Sequence, residues 1–337
     1  MQSDDAVLSL IFKRRDQHSF FGRREDPYKL GLAVEGGSMR AVVTGAMVAA
    51  LEHLDVLNTF DVVYGSSAGA SNAAYFLAQQ ANQGIRIYLD YLSGRQFIRA
   101  SAILHGRPPV NLDYLYFEVM KRRITLDWQA VTASPIPLKV LASRVPEGVL
   151  DVLEAFESQD DLLRALHASS QMPLVAGAPF SYRGRFYWDA HLLDPKGIQT
   201  AIADGCTHIL VLRSRPEGLR PRRLNPVEQL LIAPYIRKYS PSLADNFLSR
   251  FDQGTNNGAP GLSSQPFISE LAPSLGSPDI NRLEHRRDRL MAGAFSGMEA
   301  ILDRFPSGPD LKGRVRQAFA DVAEGSRSDL SACPVVR

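Results

Sequence analysis

Phe60-Asp61-Val62-Val63-Tyr64-Gly65-Ser66-Ser67-Ala68-Gly69-Ala70-Ser71-Asn72 is the stretch on which the reading of the fold turns. A β-rich run, Phe60 to Tyr64, leads through a glycine-flanked serine pair into a small-residue run, Ala68 to about Gln80, of helical character. A strand entering a helix through G-x-S-x-G is the setting of a nucleophile elbow, and the frame selects Ser67, not Ser66. A serine on so sharp a turn takes a strained backbone conformation. Gly65 and Gly69, two residues to either side, remove the Cβ clashes that would forbid it. The first N–H groups of the following helix favour negative charge nearby. The plain alternative is a glycine-rich turn carrying ordinary serines; the flanking elements favour the elbow.

Working outward, Leu30 to Val34 reads as a strand, Val42 to Leu54 as a helix, Pro137 to Ser143 and His208 to Leu212 as further strands, and Asp160 to Ala168 as a helix. Short apolar strands alternating with helices predict an α/β fold, a largely parallel central sheet with helices on both faces. The catalytic core is expected over residues 29–213. Residues 1–28 read as a leader of uncertain structure. Residues 214–305 read as a basic loop and helical extension packed on the core, and residues 306–337 as a polar, loosely held tail. Within the extension, 253–280 is rich in Gly, Pro, Ser and Asn and predicts irregular connection. Leu283, Leu290, Met291, Ala294, Met298, Ile301, Leu302 and Phe305 predict one amphipathic helix, stopped by Pro306, that covers the core.

A chain of 337 residues can bury a sizeable core, and 45% apolar with 22% charged residues excludes a disordered or fibrous chain. With 38 Lys and Arg against 36 Asp and Glu there is no bulk attraction to nucleic acid. Cys206 and Cys333 form no CxxC pair and fit a reducing compartment. No His or His-Glu pair has metal-ligand spacing, so no metal and no cofactor is expected. The first residues lack an export signal, and Ala41 to Leu51 is too short to span a bilayer. A cytoplasmic protein is the expectation, with peripheral membrane attachment and oligomeric state left open.

Glu35-Gly36-Gly37-Ser38-Met39-Arg40 follows the first strand and opens a helix. It lacks both G-x-G-x-x-G and G-x-x-x-x-G-K-[ST], so a phosphate cradle is disfavoured. Close-approaching amides from Gly36, Gly37, Ser38 and Met39 instead suit an oxyanion hole. Arg40 is either a surface side chain, a tie for the loop, or a source of positive potential.

The glycine loop, the elbow, Ala168-Ser169-Ser170-Gln171-Met172-Pro173 and Tyr187-Trp188-Asp189-Ala190 together resemble, in order and spacing, the patatin-like phospholipase family over about residues 29–213. That resemblance implies a patatin-like fold, a serine–aspartate dyad of Ser67 and Asp189 without a catalytic histidine, and a lipid substrate. Two positions depart from the family pattern: Ala41 and Ala190 stand where glycine is usual. If either needs positive φ, the site is strained by on the order of 1 kcal/mol.

His191 is the rival base, because most G-x-S-x-G hydrolases use a histidine. His208 reads as a core residue, and His285 lies in an Arg-rich turn. The expected function is a phospholipase A type lipid acyl hydrolase. The alternatives are a weak or inactive lipid-binding scaffold, or an acyltransferase using the same dyad. Arg213, Arg215, Arg220, Arg222 and Arg223, set against Glu217 alone, are expected to meet an anionic lipid surface.

Overall fold

The computed structural model describes residues 2–219, 226–252, 266–306 and 308–331. Among these, eight strands form one sheet: β1 (Leu30–Val34), β2 (Val62–Ser66), β3 (Leu138–Val145), β4 (Val149–Leu153), β5 (Phe180–Tyr182), β6 (Arg185–Asp189), β7 (His208–Leu212) and β8 (Phe267–Leu271). Followed from one hydrogen-bonded neighbour to the next, the strands run β5-β6-β3-β2-β1-β7-β8, with β4 also paired to β3. The pairs β3/β2, β2/β1, β1/β7 and β7/β8 are parallel. Those of β3 with β4 and β6, and of β5 with β6, are antiparallel. The expected α/β architecture is present as a mixed, mostly parallel sheet.

The helices are α1 (Gln2–Asp16), α2 (Val42–His53), α3 (Ala68–Leu77), α4 (Ala81–Arg86), α5 (Trp128–Ala133), α6 (Gln159–Ser170), α7 (Ile198–Ala203), α8 (Pro226–Tyr239), α9 (Pro241–Asp252), α10 (Arg287–Arg304) and α11 (Pro309–Ser331). Strands β1, β2 and β7 are buried at every residue, as parallel strands covered on both faces must be. Leu30, Leu32 and Val34 of β1 join α2, α3, α6 and α10 in the main core. Ala33, facing the other way, packs with Tyr64, Val211 and the α7 residues Ile198 and Ala201. Ten consecutive residues of α2, Val42 to Leu51, are buried. Such burial on every side fits a helix of small and apolar residues held between the sheet and α10. There Gly297 lets α10 approach closely: a Cβ would stand 2.3 Å from the Val43 carbonyl oxygen.

Three sequence expectations change. The irregular stretch 253–280 contains β8, which extends the sheet beyond Arg213; its five residues lie too close to the glycine-rich run for a composition window to separate them. The leader begins as helix α1, whose Val7, Leu8, Leu10 and Ile11 enter the main core. The tail contains α11, with Val315 and Phe319 buried, a spacing of one helical turn hidden among charged residues.

Candidate active site

Ser67 caps the start of α3 at φ 57 and ψ −136, a region an L residue occupies only under strain. The turn closes because its neighbours lack side chains. A Cβ on Gly65 would lie 2.3 Å from the Ala70 Cα, and one on Gly69 2.2 Å from the Val34 carbonyl oxygen. The Ser67 amide donates to Ser169 Oγ at 2.9 Å, and that hydroxyl donates to the Leu141 carbonyl at 2.5 Å. Ser169 thus ties the strained residue to β3.

Strand register brings the second residue in. The outer edge of β3 pairs with β4, while its other edge is shared. β2 occupies it up to Ser66 opposite Leu141, and β6, running the opposite way, occupies it down to Asp189 opposite Ala142. The two strands meet end to end, so Ser66 and Asp189 face consecutive residues of β3. Ser67 Oγ donates to Asp189 Oδ2 at 2.7 Å, the His191 amide donates to Oδ1 at 2.7 Å, and the Ser143 hydroxyl donates to the Asp189 carbonyl at 3.0 Å. Asp189 is 2% exposed. Burial pushes its carboxyl up to about 6, against the opposing pull of the His191 amide, the Ser67 hydroxyl and the Arg282 charge.

The loop after β1 lies over the elbow. A Cβ on Gly36 would stand 2.7 Å from Ser67 Cβ, so only glycine lets the two turns touch. Gly37 (φ 144) and Ser38 (φ 53) both take positive φ. Glu35 Oε2 accepts from the Ser214 amide (2.7 Å) and hydroxyl (3.0 Å), and Arg40 Nε donates to Ser214 Oγ at 3.0 Å. This closes the loop against the end of β7, between β1 and β7, whose onward connections run to opposite sides, to β2 and to β8. Arg40 is therefore a tie for the loop. Burial pulls its guanidinium down to about 10, against the raising effect of Glu35.

Ser67, Asp189, Gly36, Gly37 and Ser38 line a cavity of about 900 Å³. One arm is apolar, walled by Tyr75 of α3, by Ile87, Tyr88 and Leu92, and by Leu115 and Met120. The last two groups lie on π-helical segments, Ile87–Leu92 and Tyr114–Arg123, a wide helical form frequent at functional sites. The other end is charged, bordered by Lys196, Arg213, Arg215, Glu270, Asp279 and Arg282.

A family model, patatin-like phospholipase, matches residues 32–202, half of the chain. The chain belongs to the patatin-like phospholipase family. Over 206 residues it is 25% identical to an uncharacterized protein of Escherichia coli (strain K12), YjjU, in an alignment covering 57% of this chain and 54% of that protein. It thus spans about half the length of the curated relative it matches. The solved structure of human GIVD cytosolic phospholipase A2, in complex with methyl gamma-linolenyl fluorophosphonate and terbium chloride, is similar at 14% identity and a TM-score of 0.38. That match covers 95% of this chain and 64% of the human one.

In this patatin-like chain the two alanine departures are unstrained. Ala41 has φ −66, and Ala190, in the short helix Ala190–Leu192, is not at positive φ. Met39 corrects the expected amide set: its N–H donates to the Arg282 carbonyl at 3.2 Å and it does not border the cavity, because the loop turns into a 3₁₀ helix at Ser38. His191 sends its amide to Asp189, while its Nε2 accepts from Arg282 at 2.9 Å. His208 is buried between Tyr28 and Phe267, as a core histidine. Arg213 and Arg215 are ion-paired to Glu270 (3.3 Å) and Asp279 (2.9 Å). Arg220, Arg222, Arg223 and Cys333 lie outside the described residues. Among those residues no three His, Cys, Asp or Glu side chains group to hold a metal ion, and no helix is long and apolar enough to cross a membrane.

Sequence reasoning gave Ser169 and Ser170 only as part of a motif and missed Ser143 and Tyr116. Ser170 Oγ bonds the Tyr116 hydroxyl at 2.6 Å, which places a polar pair in the wall of the apolar arm. The Ala-Ser-Ser motif was the signal for the first two; Tyr116 and Ser143 carry none.

Proposed function

We propose that this protein is a lipid acyl hydrolase in which Ser67 is the nucleophile and Asp189 the base. The observation that carries the reading is the 2.7 Å bond from Ser67 Oγ to Asp189 Oδ2, made by a serine held at φ 57 on the floor of a largely apolar cavity. Ser67 Oγ attacks the ester carbonyl carbon as its proton passes to Asp189, and the carbonyl oxygen becomes an oxyanion facing the amides of the Gly36–Ser38 loop. Asp189 returns the proton to the departing alcohol, leaving an acyl-enzyme. Water then attacks the acyl carbon, gives its proton to Asp189, and Ser67 is reprotonated as the fatty acid leaves.

A base near 6 is stronger than an ordinary carboxylate yet still ionised at neutral pH, which suits this task. The apolar arm accommodates the acyl chain, and the charged end the headgroup. Glycerophospholipids or galactolipids are the substrates the family suggests, cleaved in the manner of a phospholipase A. No metal or cofactor enters the scheme.

The test is fatty-acid release from a panel of phospholipids and galactolipids by wild type and Ser67→Ala in parallel, with fluorophosphonate labelling of folded protein. Release and labelling that both vanish in Ser67→Ala support the reading. Release that persists in that variant, or failure of Ser67 to label in a panel-inactive wild type, overturns it.

A further inference from the structure

Among the described residues, three tyrosines line the apolar arm, and their hydroxyls are engaged in different ways. The Tyr75 hydroxyl donates to the Ile124 carbonyl, and that of Tyr88 donates to Asn72 Oδ1 at 3.0 Å, both fixed acceptors of the surrounding protein. The Tyr116 hydroxyl meets only other hydroxyls, Ser170 Oγ at 2.6 Å and Ser71 Oγ at 3.3 Å. A hydroxyl carries one proton and two acceptor sites. Three hydroxyls joined by two contacts therefore keep one proton and several lone pairs unmatched among the described residues. Tyr116 is fully buried, Ser71 is 7% exposed, and all three side chains line the cavity. Unmatched polar capacity of this kind is costly whenever an alkyl chain fills the arm and expels water. The depth of the trio is set by α3. Ser67, Ser71 and Tyr75 succeed one another at steps of four residues, so they share one face of the helix and advance by about 6 Å each. The trio thus lies about one turn beyond the nucleophile. Burial raises the Tyr116 phenol to about 12, and the nearby Asp189 charge also raises it, which places this hydroxyl at the dyad end of the arm.

We propose that Ser71, Tyr116 and Ser170 select acyl chains that bear a hydroxyl near the ester, with a β-hydroxyacyl ester as the substrate class that fits. A chain whose carbonyl sits at Ser67 and which runs along α3 passes the trio with its first carbons. A hydroxyl on the β-carbon accepts the spare proton there and donates its own to a free lone pair, so the network is completed by the substrate. A plain chain at the same level displaces water and offers nothing in return, and a site built to hydrogen-bond a substrate hydroxyl discriminates against the analogue that lacks it. The rest of the chain meets a wall of Tyr75, Leu92 and Met120, which suits an unsubstituted alkyl tail. Tyr75 and Tyr88 take no part in this selection, because their hydroxyls are already bonded to the protein. The proposal deepens the acyl hydrolase reading and rests on it for the bond that is broken, although the preference for a hydroxyl is also measured without turnover.

The experiment compares kcat/KM on nitrophenyl β-hydroxydecanoate, each enantiomer separately, with that on nitrophenyl decanoate, so that the leaving group is common and only the chain differs. Wild type should prefer the better hydroxylated enantiomer by at least about tenfold. Tyr116→Phe keeps the ring and its packing against His167, and should bring the two esters to within about twofold of each other. Ser71→Ala and Ser170→Ala should each lower the preference, and they carry the test if Tyr116→Phe does not fold by far-UV circular dichroism and thermal unfolding. Tyr88→Phe is the control: its hydroxyl serves Asn72, so the preference should stay within about twofold of wild type. A merely structural Tyr116 would slow both esters together and leave their ratio unchanged. The second measurement is calorimetric binding of the corresponding methyl esters to Ser67→Ala, where the hydroxylated ester should bind about tenfold more tightly and lose that advantage when Tyr116→Phe is added. A wild type that hydrolyses both esters equally, a preference that survives in the folded trio variants, or a Ser67→Ala protein that binds neither ester or both alike overturns the proposal. Tyr116-dependent preference in binding, in a wild type that hydrolyses neither ester, would retain the selective arm and remove the hydrolase reading instead.

Discussion

Two ends of the same sheet hold buried or half-buried carboxylates with opposite neighbours. At the end where β2 enters the elbow, Asp189 accepts from a hydroxyl and a backbone amide, and burial leaves it at about 6. At the other end, Asp204 also meets a desolvation penalty, yet Lys139 (2.7 Å), the Tyr64 hydroxyl and Lys29 outweigh it and hold the carboxyl at about 2. Beside it Asp61 is bound by Arg14 and Arg24, and Arg14 also by Asp26. A carboxylate matched to cations is an ionised brace with no affinity left for a proton at neutral pH. One offered only neutral donors in a dry site keeps proton affinity, and with it the capacity to act as a base.

The largest effect that would sharpen this contrast is on turnover. Asp189→Asn should lower kcat by about 10³–10⁴-fold, measured as initial fatty-acid release, because it keeps the shape and removes the proton acceptor. Asp204→Asn should leave kcat within about twofold; a loss comparable with that of Asp189→Asn would break the distinction between brace and base.

Next in size is the far end itself. Arg14→Ala leaves Asp26 and Asp61 with one cation fewer, in a place where the arginine side chain is fully buried. It should destabilise the fold by about 3–5 kcal/mol in denaturant titration. A cost near zero would mean that α1 is held by its apolar face alone.

The pH dependence of stability separates the two carboxylates by sign. The folded state holds the Asp189 proton more tightly than the unfolded chain, whose carboxyl titrates near 4. Its contribution is therefore complete below about pH 4 and is lost as pH rises through about 6. Asp204 behaves in the opposite sense: its contribution is present above about pH 4 and is lost as pH falls through about 2. At pH 7.5, after allowing for a lost hydrogen bond in the first and solvent screening in the second, Asp189→Asn should gain about 1–2 kcal/mol and Asp204→Asn lose about the same. Denaturant midpoints that moved together in the two variants would refute the assignment.

The smallest effect concerns the rival base. His191→Ala keeps the amide that serves Asp189 and removes an imidazole bonded to Arg282, so kcat should fall by less than about tenfold. A folded His191→Ala as inactive as Ser67→Ala, alongside an Asp189→Asn that keeps most activity, would move the base to histidine.

Much of this was legible in the residues. Apolar runs and the glycines beside Ser67 act through sterics between near neighbours in sequence, so they predicted β1, β2, β7, α2, α3 and the elbow directly. The motif around Asp189 then named the partner by resemblance. What Ala41 and Ala190 do to the backbone, that Met39 turns away, and that β8 joins the sheet depended on contacts made by residues far along the chain. Tertiary structure alone decided the rest. The head-to-head meeting of β2 and β6 on one edge of β3 sets the 2.7 Å approach, and burial, only partly offset by two neutral donors and the Arg282 charge, sets the proton affinity of Asp189. Local sequence fixes the turns a backbone can make, whereas strand register, dielectric and surface patches are sums over segments that only the completed fold brings together.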